Sequence, residues 1–415
     1  MSYRDIASRR TLAWAVVAVG ARMPVAMAPL AVVFLVRERD GGYALGAMLA
    51  AVYVVGEIAG APLLGMRMRA ERARPQLAVG LAVGAVGFAA LGALPDAHAA
   101  VLALFAFVAG AAPAAAPGGL RALLNSLVPE KSVPQAMSAE SVLIFLIWAV
   151  APAAVTGLAL GVSPGLPLLL AAVLMALSVA GLWLLPVGWQ ADESDRDGES
   201  MLRIMARAWP VYVTGAASLS LLALAELVLP ALLEQRSISV GMAGPLLAGL
   251  AVGSAVGSFV YGLRTWPGRL RTQSLVLMLA VSGCLAVVAL LPTAAWIAAG
   301  LAVAGVLQAG AMLTRNLTLR EVLPPSALAA GYSVMYAAIG AGYAASGSLA
   351  GGLLSVTTPS TAILAGVGLS LVLTLVGALA EVRPGPAGGG GGRPTQTPHQ
   401  KGAAGPPQEA QNKQT

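Results

Sequence analysis

Charged residues in this chain are confined to short segments, and long stretches between them contain none. Residues 141–191, 237–263, 272–314 and 322–380 lack Asp, Glu, Lys and Arg altogether. Over all 415 residues, charged side chains make up 10% and hydrophobic side chains 58%, which is too little charge to cover a soluble protein of this size. A hydrocarbon core about 30 Å thick takes roughly 20 apolar residues per helix. The sequence therefore predicts an all-α protein that crosses a membrane many times.

Apolar runs separated by short polar or Pro/Gly loops predict twelve transmembrane helices, numbered here as spans 1 to 12. We place them near 11–35, 43–65, 76–94, 99–120, 136–160, 166–187, 208–233, 242–263, 272–291, 294–314, 327–350 and 360–380. Most of the 25 Lys and Arg residues fall on one side of this arrangement, as is typical of cytoplasmic loops. We therefore expect both termini in the cytoplasm and the chain in the plasma membrane.

The chain divides into two halves that repeat each other. A charged linker at 189–203 separates six spans in residues 1–188 from six in 204–383, and a Gly/Pro-rich tail at 384–415 is predicted to be disordered. Five residues in and just after span 2 recur 197 positions later: Val55, Gly56, Gly60, Gly65 and Arg67 match Val252, Gly253, Gly257, Gly262 and Arg264. Arg121 of span 4 similarly parallels Arg315 of span 10. The prediction is two pseudo-symmetric six-helix bundles, which can rock about a site between them.

Several functions are disfavoured by residue types that are scarce or absent. The one cysteine, Cys284, lies in an apolar span, and the two histidines are His98 in a loop and His399 in the tail. We therefore expect no metal, no cofactor and no histidine-dependent catalytic site. A phosphate-binding Gly-rich loop is missing, which disfavours ATP-driven transport. The arginines are dispersed among short loops, so we expect no nucleic-acid partner.

The two halves, the charged linker and the Gly-rich, Arg-bearing loop after span 2 resemble the major facilitator superfamily of transporters. The family's signature in this loop is Gly-x-x-x-Asp-Arg-x-Gly-Arg-Arg. Here the loop reads Gly65-Met66-Arg67-Met68-Arg69-Ala70-Glu71-Arg72-Ala73-Arg74, with Arg69 at the Asp position and Arg72 at the second Gly. Other segments are similar to actinobacterial efflux-type members: Arg22-Met23-Pro24, Pro117 to Arg121, and Trp148 to Pro152. The resemblance implies a monomeric transporter whose spans 1, 4, 7 and 10 line a cavity, with Gly65 and Arg69 in a gate.

Ionisable side chains within a span are costly, and they point to function. Arg22 lies about 16 Å along span 1, where it would bind an anionic substrate or favour the ionised form of a nearby carboxylate; a fixed interhelical ion pair is the alternative. Glu57 occupies the position of Ser254 in the repeat. This break in symmetry indicates either a proton carrier or a structural partner for Arg22 or Arg69. Glu226 of span 7 would face the cavity or the outer gate.

Further candidates line the predicted cavity or its gate. Glu140, near the cytoplasmic start of span 5, is predicted to form an inner-gate salt bridge with Arg121 or Arg315, with a solvated helix start or proton coupling as alternatives. Met27 would give an adaptable apolar lining, and Gln308 would hydrogen-bond substrate, although both also suit ordinary helix packing. Which carboxylate pairs with Arg22 stays open.

We expect a proton-coupled exporter of a small amphipathic organic compound. The resemblance to efflux-type members implies that this compound is a drug or natural product, with a role in antibiotic resistance. Its partners would be the small-molecule substrate, protons and the lipid bilayer. An uptake symporter for a small organic solute and a non-transporting receptor on the same fold are the alternatives. An enzyme is not expected, because the spans do not supply convergent nucleophile, acid and base groups.

Overall fold

The computed structural model describes residues 8–39, 42–188 and 199–382, and within these ranges it contains helices and no strands. Twelve helices of this described part are long and apolar enough to cross a membrane. In chain order, spans 1 to 12 are Arg9–Val36, Ala44–Met66, Ala70–Ala93, Ala99–Leu127, Glu130–Gly161, Leu166–Leu184, Trp209–Gln235, Val240–Leu263, Leu270–Leu290, Ala294–Val322, Pro325–Leu354 and Pro359–Glu381. The prediction of an all-α membrane protein with twelve spans is confirmed.

Spans 4 and 10 continue several residues beyond the predicted ends at 120 and 314. The added turns carry Arg121 and Arg315, which would be expensive in lipid. Both guanidinium groups instead bind carboxylates inside the protein. Because these charges are paired internally, the helices extend past the point where apolarity alone predicts a loop.

Span 4 is interrupted near its middle. The helix Ala99–Ala111 stops, residues 112–115 form a turn, and a second helix runs over Ala116–Leu127. Pro113 lies within this turn and Pro117 lies in the first turn of the helix that follows it, and proline removes a backbone donor that a continuous helix needs. The interruption brings the Pro117 carbonyl within reach of Arg22 on span 1.

The repeated glycines hold the second and fourth spans of each half together. A Cβ added at Gly56 would lie 2.6 Å from the Phe107 carbonyl oxygen of span 4, and one at Gly257 would lie 2.6 Å from Val306 Cα of span 10. Gly60 and Gly253 make equally close approaches to the same two spans. Only glycine permits this backbone-to-backbone packing. The predicted duplication of a six-helix unit is therefore also a duplication of helix contacts.

The repeat extends further along the chain than the glycine motif indicates. Arg74 and Gln76 stand 197 positions before Arg271 and Gln273. Arg74 donates to the Leu185 carbonyl at the end of span 6, and Arg271 donates to the Ala378 carbonyl near the end of span 12 at 2.6 Å. In both halves the glutamine side chain bonds backbone carbonyls of the loop just before its own helix. Equivalent residues thus join the third span of each half to its sixth.

Two of the predicted segments lie partly or wholly outside the residues that the structure describes. Residues 189–198 of the predicted linker and the whole tail, 384–415, lie outside the described residues. The end of the linker is described, and there a short helix, Met201–Arg207, directly precedes span 7. The boundary predicted at 204 therefore falls inside a helix.

Span 1 begins and span 12 ends on the same side of the bundle, which we call the terminal face. Close to this face the two halves pack together through spans 2 and 11 and through spans 5 and 8. Gln135 at the start of span 5 donates to the Gly262 carbonyl at the end of span 8, at 2.9 Å. Ser138, one turn further on, donates to the Ser258 carbonyl. We call this contact between the halves the seam.

Candidate transport site

Glu140 is the centre of a buried charge cluster in the N-terminal half. Its carboxylate is only 1% exposed and binds two arginines, Arg22 of span 1 and Arg121 of span 4. The Arg121 Nε lies 2.8 Å from Glu140 Oε2, and Arg22 also donates to the Pro117 carbonyl at 3.3 Å. The structure therefore pairs Arg22 with Glu140, and it brings the predicted salt bridge between Glu140 and Arg121 together. We call these three residues the triad.

Arg121 extends the triad across the seam. Its Nη1 donates to the Asn316 side chain of span 10 at 2.9 Å, and its guanidinium lies over the Tyr332 ring of span 11 at 5.5 Å. The Tyr332 hydroxyl accepts a hydrogen bond from Asn125 of span 4 at 3.0 Å. A buried arginine, an amide and an aromatic ring thus connect the two halves near the terminal face.

Arg315, the second predicted partner for Glu140, has a different one. Its Nη1 lies 2.7 Å from Glu381 of span 12 and 3.1 Å from the Thr214 hydroxyl of span 7. The neighbouring Asn316 faces the seam, and successive residues on a helix point about 100° apart. Arg315 is therefore directed into the C-terminal half, and of the two predicted partners it is Arg121, not Arg315, that binds Glu140. Arg271 lies 3.5 Å from the same Glu381 carboxylate.

Two of the gating candidates lie in and after span 2. Gly65 is at the seam, because a Cβ added there would collide with the Ser333 side chain of span 11. Gly118 of span 4 approaches the same serine, with its added Cβ 2.7 Å from the Ser333 backbone nitrogen. Arg69 is an exposed loop residue whose backbone N–H bonds the Gln76 side chain at 2.8 Å. The structure thus places Gly65, but not the Arg69 side chain, against the opposite half.

Glu57 lies between the two halves. Its carboxylate is half-buried and accepts a hydrogen bond from the Tyr336 hydroxyl of span 11 at 3.2 Å. The structural alternative, an ion pair with Arg22 or Arg69, is not formed, because Arg22 binds Glu140 and Arg69 lies at the surface. The next residue, Ile58, faces Gly340 one turn further along span 11. Glu57 is therefore a carboxyl group at the seam whose partner is a hydroxyl.

Glu226 has the same kind of partner inside the C-terminal half. The Tyr343 hydroxyl of span 11 donates to its Oε2 at 3.2 Å, and both side chains retain contact with solvent. Leu224, two residues earlier, contacts the position of Gly366 on span 12. Two helical residues are about 200° apart, so Glu226 points away from span 12.

Met27 and Gln308 are packed inside the helices. Met27 is fully buried, and Gln308 is 3% exposed and donates to the Ser218 backbone carbonyl and hydroxyl of span 7, at 2.9 Å each. In this conformation both side chains serve the packing role that was their alternative interpretation.

The sequence analysis overlooked the residues that contact these candidates. Tyr336 and Tyr343 bind the two carboxyls, Asn316 receives Arg121, and Glu381 binds Arg315. One signal for the tyrosines was available. Tyr332, Tyr336 and Tyr343 recur at helical spacings of four and seven on one face of span 11, in a chain with only eight tyrosines. Within the described residues, no group of three or more His, Cys, Asp or Glu side chains could hold a metal ion.

Comparison with known proteins agrees with this architecture. A family model described as Major Facilitator Superfamily matches residues 12–314. A crystal structure of the human organic anion transporter MFSD10 (TETRAN) is 15% identical, with a TM-score of 0.69 over 89% of this chain and 99% of that one. A bacterial homologue of the iron transporter ferroportin, in an outward-facing state, is 15% identical with a TM-score of 0.70 over 90% and 98%.

The E. coli fucose:proton symporter FucP is 14% identical, with a TM-score of 0.60 over 90% of this chain and 97% of that one. At these identities, the structural likenesses show the fold alone. No curated protein matches the sequence closely enough to count as a relative.

Proposed function

Because the chain belongs to the Major Facilitator Superfamily, we propose that it is a secondary transporter that exports a small amphipathic organic compound in exchange for protons. The Glu57–Tyr336 hydrogen bond is the observation that carries this proposal. It joins a titratable group of one half to a hydroxyl of the other half, at the seam that must open during alternating access. A proton bound at Glu57 therefore acts directly on a contact between the halves.

Protonation of Glu57 would weaken this contact. An ionised carboxylate accepts a charge-assisted hydrogen bond, which is roughly twice as strong as a neutral one. Once Glu57 is protonated, the Tyr336 hydroxyl loses that ionic acceptor, and the seam loses part of what holds it closed. This link between proton binding and seam opening is what a proton-driven transporter needs.

The other seam contacts support alternating access. The triad and its neighbours hold the halves together near the terminal face, while the Glu226–Tyr343 contact farther from that face stays within one half. We propose that the cavity between the halves opens to the opposite face in this conformation. The excess of basic residues in the loops of the terminal face supports a cytoplasmic location for that face. Protons would then reach Glu57 from outside, and they would be released inside when the seam opens.

The proposal predicts that Glu57→Gln abolishes ligand-dependent proton movement. Glutamine keeps the size and can still accept from Tyr336, but it cannot bind and release a proton. Purified protein would be reconstituted in liposomes containing the pH-sensitive dye pyranine. It would then be challenged with lipophilic cations, neutral amphiphiles and organic anions.

Glu71→Gln is the matched control, since Glu71 is an exposed carboxyl in the loop after span 2. It is expected to retain proton movement, as is Tyr336→Phe, though with altered rates, because that variant keeps the carboxyl. Undiminished proton movement in Glu57→Gln would contradict the assignment. Ligand binding without proton movement in the wild type would instead favour a receptor, and co-movement of ligand and proton would favour an uptake symporter.

A further inference from the structure

The charges within the spans are unevenly partnered. Arg22 and Arg121 share Glu140, and Arg315 binds Glu381. In contrast, Glu57 and Glu226 have no cationic partner among the residues that the structure describes; each is held by a tyrosine. Unpaired carboxylates are costly at membrane depth, and they mark substrate pathways, proton relays or counter-ions of a bound ligand.

Both tyrosines belong to one face of span 11. Tyr336 and Tyr343 are seven residues apart, which is two helical turns and about 10 Å along the axis. Glu57 reaches this face from span 2 of the N-terminal half, and Glu226 reaches it from span 7 of the C-terminal half. Span 11 therefore presents two carboxyl–tyrosine pairs in succession, with the Glu226 pair farther from the terminal face.

The positive charges within the spans are less available to an anionic ligand than these two carboxylates are to a cation. Arg22, the residue predicted to bind an anionic substrate, is 7% exposed, and its Nη2 donates to Glu140 and to the Pro117 carbonyl, while its Nε and Nη1 have no hydrogen-bond partner among the described residues. The triad has one excess positive charge, but Arg121 is held by Asn316 and lies over the Tyr332 ring. This positive charge is therefore already engaged in closing the seam.

We infer that the Glu226–Tyr343 pair is the recognition site for an organic cation with an apolar body. Glu226 supplies the counter-charge. The Tyr343 side chain, 39% exposed, supplies an aromatic face on which a cation is favourable. The inference rests on the proposed transport function and narrows its substrate class. It also separates two tasks, with cation binding at Glu226 and proton exchange at Glu57.

Equilibrium binding to the purified full-length protein in detergent tests this inference without any need for proton coupling. The probes are two permanently charged cations of different shape, tetraphenylphosphonium and ethidium. Tetraphenylborate has the size and shape of the former with the opposite charge. We expect both cations to bind the wild type, and we expect tetraphenylborate to bind far more weakly and not to compete.

Glu226→Gln is expected to weaken binding of both cations by about tenfold or more, because it removes the partly desolvated counter-charge. Glu234→Gln is the matched control: Glu234 is an exposed carboxyl eight residues further along span 7, and its removal is expected to change affinity by less than about twofold. Tyr343→Leu keeps the charge but removes the aromatic face, and it is expected to weaken binding by about threefold. This tyrosine variant also replaces Glu226→Gln in the binding test if Glu226→Gln elutes as an aggregate in size-exclusion chromatography.

Three results would overturn the inference: neither cation binds, Glu226→Gln or its substitute binds like the wild type, or tetraphenylborate binds as tightly as tetraphenylphosphonium. The proton assay distinguishes this failure from failure of the proposed function. Proton movement that depends on Glu57 but is driven by a neutral or anionic compound would support the proposed proton coupling and contradict the cation site. Cation binding that depends on Glu226 without any proton movement would support the cation site and contradict the proposed proton coupling.

Discussion

Replacing Glu140 with glutamine is expected to lower the free energy of unfolding by about 3–5 kcal/mol, as is usual when one partner of a buried ion pair is removed. The carboxylate is 1% exposed and binds two arginines that are themselves largely buried. Without it, Arg22 and Arg121 would be left as neighbouring positive charges with no counter-charge. Thermal unfolding in detergent should show a clear loss of stability.

A second substitution tests whether the cause is the uncompensated charge. Adding Arg22→Met to Glu140→Gln removes one of the two stranded charges, so the double variant is expected to be more stable than Glu140→Gln alone. Glu130→Gln is the control, because Glu130 forms a salt bridge with Arg320 at 3.6 Å but is 84% exposed. Such surface pairs contribute about 0–1 kcal/mol. Equal losses for Glu140→Gln and Glu130→Gln would contradict the role assigned to the triad.

The triad also illustrates what the sequence could predict and what it could not. Arg22, Glu140 and Arg121 could be singled out because charge within an apolar span is rare. Their mutual pairing could not, because it depends on spans 1, 4 and 5 meeting at one height and on the break in span 4 that positions Pro117. The predicted ends of spans 4 and 10 were wrong for a related reason. A paired arginine no longer marks the membrane boundary, so spans 4 and 10 run further than their apolar stretches.

Symmetry was the more reliable guide to the fold. The 197-residue repeat identified the glycines that pack the second span of each half on the fourth, and it also holds for Arg74 and Gln76 against Arg271 and Gln273. The proposed proton site lies where the symmetry breaks. Glu57 accepts a hydrogen bond from Tyr336 of the opposite half, whereas the equivalent Ser254 donates to the Leu250 carbonyl of its own helix. A repeat therefore predicts the shared scaffold, and the departures from it predict where function differs between the halves.

A larger side chain at Gly65 is expected to shift the protein away from the conformation closed at the terminal face. A Cβ there already collides with Ser333, and overpacking of this kind costs about 1–3 kcal/mol. In the proposed alternating access, spans 2 and 11 separate when the seam opens, so this cost would fall only on the closed seam. Gly65→Leu should therefore change the equilibrium between the two conformations by about 5- to 150-fold, with transport slowed accordingly.

Cysteine accessibility measures this shift directly. Ala329 on span 11 is 1% exposed, and its carbonyl lies against Gly118 in the seam. In a Cys284→Ser background, Ala329→Cys is expected to react slowly with a maleimide and much faster once Gly65→Leu is added. Gly157→Leu is the control, since a Cβ at Gly157 meets nothing within 4 Å. If Gly65→Leu left the alkylation rate at the level of Gly157→Leu, span 2 would not press against span 11 during closure. In the proposed mechanism, the seam transmits proton binding at Glu57 to the two halves, so the proposed coupling would then lose its mechanical basis.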